Sequence, residues 1–393
     1  MQTPDLGSGW NPRLKSALER LIAEYRVEPS DFDPPDAPVA VFDFDNTTVF
    51  GDFGEQVFRH QVDRLVFGMT PEHFAKRMPD NPRGITHVAE KFGGAAINDL
   101  AADIADAYAV LHGAYEGLGG GSSLEETRRL PEYPEFRAKF NLLFDALIET
   151  PGIGKIYAYP WSIQIFAGMT RRRLHELSHS VWEHELRAPI GVIDLESPAN
   201  LKSRSGVQRT RVLSGIRVVD ETARLYRALR AAGFHVYIVT ASFQEIITPL
   251  AYEFEHPYFV GRDRVCGTRL MPAEHIDNGP PVDDAAEATP VAGPDDEWTF
   301  TDELDTRHGY AVTYGPGKVQ VIDSVIGRAP VLVAGDSDTD FEMLVEYPET
   351  RVRLLIDRGS RGSVMDDLFA RADKGEDSYY RQTRDEKKGT FLP

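Results

Sequence analysis

The sequence predicts an α/β fold, a parallel sheet core with helices on both faces, interrupted by a large inserted and mainly helical segment. Three observations carry this reading. The apolar runs at 39–42, 235–239 and 330–334 each end in small, hydroxylated or acidic residues, as buried parallel strands do where they reach a loop. The second run follows a stretch at 219–232 whose Val219, Ala223, Tyr226 and Leu229 recur at helical spacing, with Gly233 placed to stop the helix. Between the first and second runs, residues 54–215 are rich in aromatics and show helical patterns at 56–67, 97–112, 134–149 and 170–186, with little strand alternation.

In chain order, Asn11-Pro12 opens a helix with Leu14, Leu18, Leu21, Ile22 and Tyr25 on one face. Pro29, Pro34, Pro35 and Pro38 then mark an extended connector to the first strand. After the second strand the pattern changes: 265–270 and 298–301 read as short strands around an acidic, proline-rich loop at about 272–297. Gly315-Pro316-Gly317 makes a tight turn ahead of Lys318, the third core strand follows, and 351–356 is the expected last strand before a charged, partly irregular tail. The expected division is 1–53 for the leading helix and first strand, 54–215 for the helical insertion, and 216–393 for the rest of the core. No internal repeat is visible.

The 393 residues carry a net charge of -19 and a pI near 5.0, which argues against nucleic acid as a partner, since a phosphate backbone attracts basic patches. The run Arg171-Arg172-Arg173 reads as one face of a surface helix. Cys266 is the single cysteine, so no internal disulfide is possible, and it reads as a small buried apolar residue. No apolar stretch is long enough to span a bilayer, and Met1-Gln2-Thr3-Pro4-Asp5 does not start a signal peptide. A soluble, cytoplasmic protein is the expectation, or a periplasmic or secreted one if a leader preceded Met1. The eleven histidines show no ligand spacing apart from His175 and His179, four apart on one helix, which read as polar surface.

Asp43 and Asp45 leave the end of the first strand on the same side, so they can share an ion, and a carboxylate there can attack phosphorus. By default such acids are turn or capping groups. Thr240, with the N–H groups that follow it, can hold a phosphoryl oxygen, and Asp336 and Asp340 leave the third core strand one helical turn apart. The order Asp-x-Asp-x-Thr, strand-end Thr, Lys and Gly-Asp-x-x-x-Asp resembles the haloacid dehalogenase superfamily of phosphohydrolases.

The resemblance implies a Rossmann-like core with a helical cap, and roles for individual residues. Asp43 would be the nucleophile, Asp45 the general acid and then base, and Thr240 and Lys318 the phosphoryl-binding groups. Asp43, Asp45, Asp336 and Asp340 would build a Mg²⁺ site, Asp45 through its backbone carbonyl, and the second Asp argues for phosphoester rather than halide chemistry. Asp45 would retain its proton because a second carboxylate stands two residues away.

Residues 43–48, 240–242, 156–161 and 265–270 further resemble the phosphoserine-phosphatase-like branch, and within it the bacterial phosphorylcholine phosphatases. Asp52 stands where the phosphoserine enzymes carry a Glu near the substrate amine. The implied ligand is a small phosphorylated metabolite such as phosphorylcholine, bound by Asn46, Ala241, Ser242, Asp52 and Trp161, with Phe50, Tyr157, Tyr159, Phe166 and Trp182 as further aromatic candidates. A phosphoserine or other small-metabolite phosphatase, a phosphotransferase and a non-catalytic phosphate-binding protein are the alternatives.

Overall fold

Four consecutive buried residues, with no polar alternation, make β1 (Val39–Phe42) a strand covered on both faces. Ala40 and Phe42 point into one apolar cluster, with Leu14, Leu18 and Leu21 of the leading helix Pro12–Glu24 and Tyr226 and Leu229 of helix Asp220–Ala231. Val39 and Val41 point into another, with Met343, Leu344 and helix Met365–Asp373. The computed structural model describes residues 4–27, 36–253, 256–273 and 298–393.

β1 lies inside a seven-stranded sheet, between β6 (His235–Phe243) and β10 (Leu332–Gly335), both parallel to it. Beyond β6 lies β7 (Val265–Thr268); beyond β10 lie β11 (Val352–Asp357), β12 (Tyr379–Asp385) and the antiparallel edge strand β13 (Thr390–Leu392). All six parallel strands therefore end on one side, where α/β proteins place their ligands. The sheet with its flanking helices is the expected Rossmann-like core.

The insertion leaves the core after β2 (Val49–Phe50) and returns at β5 (Arg217–Val218), which pair with each other as an antiparallel base. It contains the expected helices as Phe53–Arg64, Ile97–Ala114, Glu132–Glu149 and Arg171–Arg187, closed by Phe58, Phe67, Phe74, Tyr108, Phe136 and Phe140. Inside it, the buried Lys139 ammonium donates to Asp103, whose carboxyl is drawn down to about 2 despite burial by donors from Ser205, Lys139 and the backbone.

The structure refines these expectations at two places and corrects one, the last strand. The insertion contains a hairpin, β3 (Gly191–Glu196) with β4 (Arg209–Ser214), and a helix Lys155–Gln164 with Pro160 inside it. β3 is exposed at four of its six positions, so it carries little of the apolar alternation by which strands are read. The segment at 351–356 is not the last strand, because β12 and β13 extend the sheet through the tail; Gln382 and Arg384 are buried there, bonded to the Gly9 and Leu392 carbonyls and to Asn46, which disguises core as polar surface. The short strands expected beside the acidic loop are β7, β8 (Leu270–Pro272) and β9 (Phe300–Leu304), the last two forming a separate hairpin and β7 joining the main sheet. Of the loop at about 272–297, all but the first two residues lie outside the described residues, as do Pro29, Pro34, Pro35 and Met1. No helix among the described residues is long and apolar enough to cross a membrane.

Candidate active site

Asp43 continues β1, its N–H bonded to the Ala334 carbonyl of β10, and its carboxylate is 5 % exposed at the carboxyl end of the sheet. Lys318 reaches it from helix Pro316–Val321. The ammonium is fully buried and donates at 2.6 Å to Asp43 Oδ1 and at 2.6 Å to Asp340 Oδ1. Burial pushes the lysine pKa down, but the two carboxylates outweigh it and hold the group above its ordinary value. Gly317 is required for this approach, since a Cβ there would stand 1.8 Å from the Val312 carbonyl oxygen.

The loop after β10 brings Asp336 and Asp340. Asp340 Oδ2 accepts from the N–H groups of Asp336 and Ser337, and a Cβ on Gly335 would lie 2.5 Å from Asp340 Cβ. The motif glycine thus makes room for the second acid. Asp340 ties Lys318 to the loop, one oxygen on each.

Asp336 accepts from Thr47 Oγ1 at 3.1 Å and from Arg358 Nη1 at 2.9 Å. Arg358 was not foreseen, although it directly follows β11 and so lies at the same end of the sheet. Burial raises the pKa of Asp43 and of Asp336; Asp340 adds to both, while Lys318 opposes the shift at Asp43 and Arg358 at Asp336. Oxygens of Asp43, Asp336 and Asp340 lie within 4.8 Å of one another. Four carboxylates here, counting Asp45, face two directly paired cations, and the donor set is all oxygen. That surplus of charge and that chemistry fit a hard divalent cation.

Asp45 is positioned by the N–H groups of Phe53 at 2.6 Å and Gly54 at 3.3 Å and by Ser242 Oγ at 2.6 Å. Its carboxyl is nonetheless raised to about 6, and burial is the main cause. Asp336 adds to the shift, so burial ahead of any like charge keeps the proton on Asp45.

A cavity of about 540 Å³ opens over these groups, roofed by the insertion. Asp43, Asp45, Asn46, Ala241, Ser242, Asp336 and Arg358 line it, with Asp52, Phe50, Tyr159 and Phe166. Asn46 has a left-handed φ of 61° and is held by Arg384, which donates to its carbonyl at 2.8 Å. Lys155, also unforeseen, ties the insertion to the catalytic loop by donating to Asp338 at 2.7 Å.

Other expected residues are elsewhere. Thr240 is fully buried, behind the cavity surface formed by its two successors, and its hydroxyl accepts from the Ser242 N–H. Trp161 packs on Phe140 in the core of the insertion and donates its indole N–H to the Arg77 carbonyl, so its aromatic face is not in the cavity. Tyr157 and Trp182 also lie outside the lining. Of the basic run, Arg171 is not free surface charge: it pairs with Glu245 at 2.9 Å. Cys266 is buried, and burial pushes its thiol up to about 12.

No family model matches the chain. It is 26% identical over 227 residues to a phosphorylcholine phosphatase from Pseudomonas aeruginosa, a match spanning 53% of this chain and 58% of that protein. Its structure superposes on a conserved, functionally unknown protein from Anaerococcus prevotii over 100% of this chain and 98% of that one, at 28% identity and a TM-score of 0.84. A phosphoserine phosphohydrolase-like protein from Francisella tularensis aligns at 12% identity over 81% of this chain and 87% of that one; its TM-score of 0.33 is too low to bear on the fold.

Proposed function

We propose that this chain, of the haloacid dehalogenase type by sheet, motif order and sequence match, is a phosphomonoester hydrolase with residues 54–215 as its cap. The observation that carries the reading is the buried Lys318 ammonium bridging Asp43 and Asp340 at the carboxyl end of the central strand. An Asp43 oxygen attacks phosphorus, the bond to the leaving oxygen breaks, and Asp45 gives that oxygen its proton. Water then attacks the aspartyl-phosphate, Asp45 takes the water proton, and the bond from phosphorus to Asp43 breaks to release phosphate. Asp43 and Asp336, with the Asp45 carbonyl, would hold Mg²⁺, which neutralises phosphoryl charge when bound. Ala241, Ser242 and Asn46 line the cavity wall beside these groups. Phosphate release from an aryl phosphate, with Mg²⁺ and with chelator, tests the assignment; metal-independent inactivity across a wide range of phosphoesters would overturn it.

The shifted Asp45 carboxyl sets a pH dependence. As an acid it must carry its proton, so kcat/KM for alkyl phosphates, whose leaving oxygen is basic, is expected to fall as pH rises through about 6. Asp45→Asn should remove that limb and slow alkyl phosphates far more than nitrophenyl phosphate. Equal losses on both would refute the acid role.

The preferred substrate is a phosphomonoester with a cationic head group, phosphorylcholine first. Asp52 caps helix Phe53–Arg64 with one oxygen, accepting from the Glu55 N–H at 2.8 Å. Burial, then Asp45 and Glu55, raise its pKa well above the usual carboxylate range, outweighing the Glu55 N–H and the Arg358 charge that oppose the shift. Tyr159, Phe166 and Phe50 supply aromatic surface in the same cavity. In a competitive panel, phosphorylcholine and phosphoethanolamine should exceed sugar phosphates, and Asp52→Asn should raise KM for the cationic substrates about tenfold, a charge contribution of about 1.4 kcal/mol. Preference for neutral sugar phosphates would end the head-group proposal and leave the hydrolase intact.

A further inference from the structure

Among the described residues, two three-membered histidine–glutamate clusters lie outside the active site, and their geometries differ. In the first, His60 Nε2 lies 2.6 Å from Glu185 Oε1 while Glu185 Oε2 accepts from the Gly215 N–H, so both carboxylate oxygens are spent on structure. In the second, His179 of helix Arg171–Arg187 faces Glu253, at the end of helix Gln244–Tyr252, and His256. His179 Nε2 lies 3.1 Å from Glu253 Oε1, and His256 Nε2 lies 3.9 Å from Glu253 Oε2. The two imidazoles run nearly parallel, with centroids 5.6 Å apart at 17°, and the edge of Trp182 packs on His256 at 5.8 Å.

We propose that His179, Glu253 and His256 form a binding site for a Zn²⁺-like transition-metal ion that fastens the last helix of the insertion to a core helix. Tetrahedral zinc with ligand bonds near 2.1 Å separates its ligand atoms by about 3.4 Å, and one ligand atom from each of the three residues already lies within 4.8 Å of the other two. Two imidazoles and a carboxylate are borderline donors that select Zn²⁺ over Mg²⁺, unlike the all-oxygen active site. All three residues are part-exposed, so an ion has a path from solvent and water can fill the fourth position. The pairing of the two helices is already fixed by packing, and the ion adds a clasp at their ends.

The test is a Zn²⁺ titration of the full chain at neutral pH in excess Mg²⁺, which occupies the carboxylate site, read by calorimetry and by the unfolding temperature. The wild type should bind one Zn²⁺ and unfold at a higher temperature with it. Single changes His179→Ala and His256→Ala should each weaken binding by about tenfold or more, the double change should abolish it, and Glu253→Gln, which preserves size, should weaken it as well. No Zn²⁺ bound by wild type under excess Mg²⁺, or binding that persists unchanged in the double variant, overturns the proposal.

Discussion

Asn in place of Asp43 is expected to lower turnover by about a thousandfold or more, the usual consequence of removing a covalent catalyst. The amide keeps the size of the side chain and one oxygen that can accept from Lys318, so the loss reports nucleophilicity rather than folding. An acid-quenched wild-type reaction should show a phosphoryl group on the peptide carrying Asp43, and the variant should show none. Wild-type turnover in Asp43→Asn would dismiss the covalent mechanism altogether.

Lys318→Met is expected to be the most destabilising single change at the site. Lys318 is fully buried between two carboxylates, and removing one partner of a buried ion pair costs about 3–5 kcal/mol because the other charge is left in a medium that solvates it poorly. Asp43 already has a raised pKa with the lysine present, so without it the native state holds protons more tightly than the unfolded chain. The sign follows: the deficit is largest at neutral pH, where the carboxylates must ionise, and shrinks as pH falls and they take up protons. Urea unfolding of the variant at neutral and mildly acidic pH measures it. Lys318→Met with Asp340→Asn should recover part of the loss, since one uncompensated charge is gone. An unchanged unfolding midpoint at neutral pH would contradict this account of the lysine.

Much of this was legible in the sequence where a local pattern meets a local physical requirement. The all-buried run at β1, the helical periodicity before β6 and the acids at strand ends announced a parallel sheet and its ligand end, because a strand covered on both faces has to be apolar throughout and has to stop where polar groups begin. Gly317 and Gly335 could be placed in motifs, but what they make room for is visible only in three dimensions. The tail reads as irregular surface for a physical reason: Gln382 and Arg384 are polar letters in a sequence, and only their hydrogen bonds to the Gly9 and Leu392 carbonyls and to Asn46 make them core.

The fold class and the convergence of Asp43, Asp45, Lys318, Asp336 and Asp340 at one end of the sheet could be read from strand-end motifs alone. Each of these sits at the end of a recognisable strand or turn, and its backbone carries it to the same edge of the sheet. Only the tertiary structure decided what lies opposite them. Trp161, attractive as an aromatic, is consumed by the packing of the insertion, while Tyr159 two residues earlier reaches the cavity; Arg358 and Lys155 arrive from separate segments. His179 meets Glu253 and His256 from a separate helix, and no spacing reveals that meeting. Sequence spacing governs which side chains share a face of one element, whereas contacts between elements depend on how the helices of the insertion pack over the sheet, a balance summed over the whole core rather than written in any one motif.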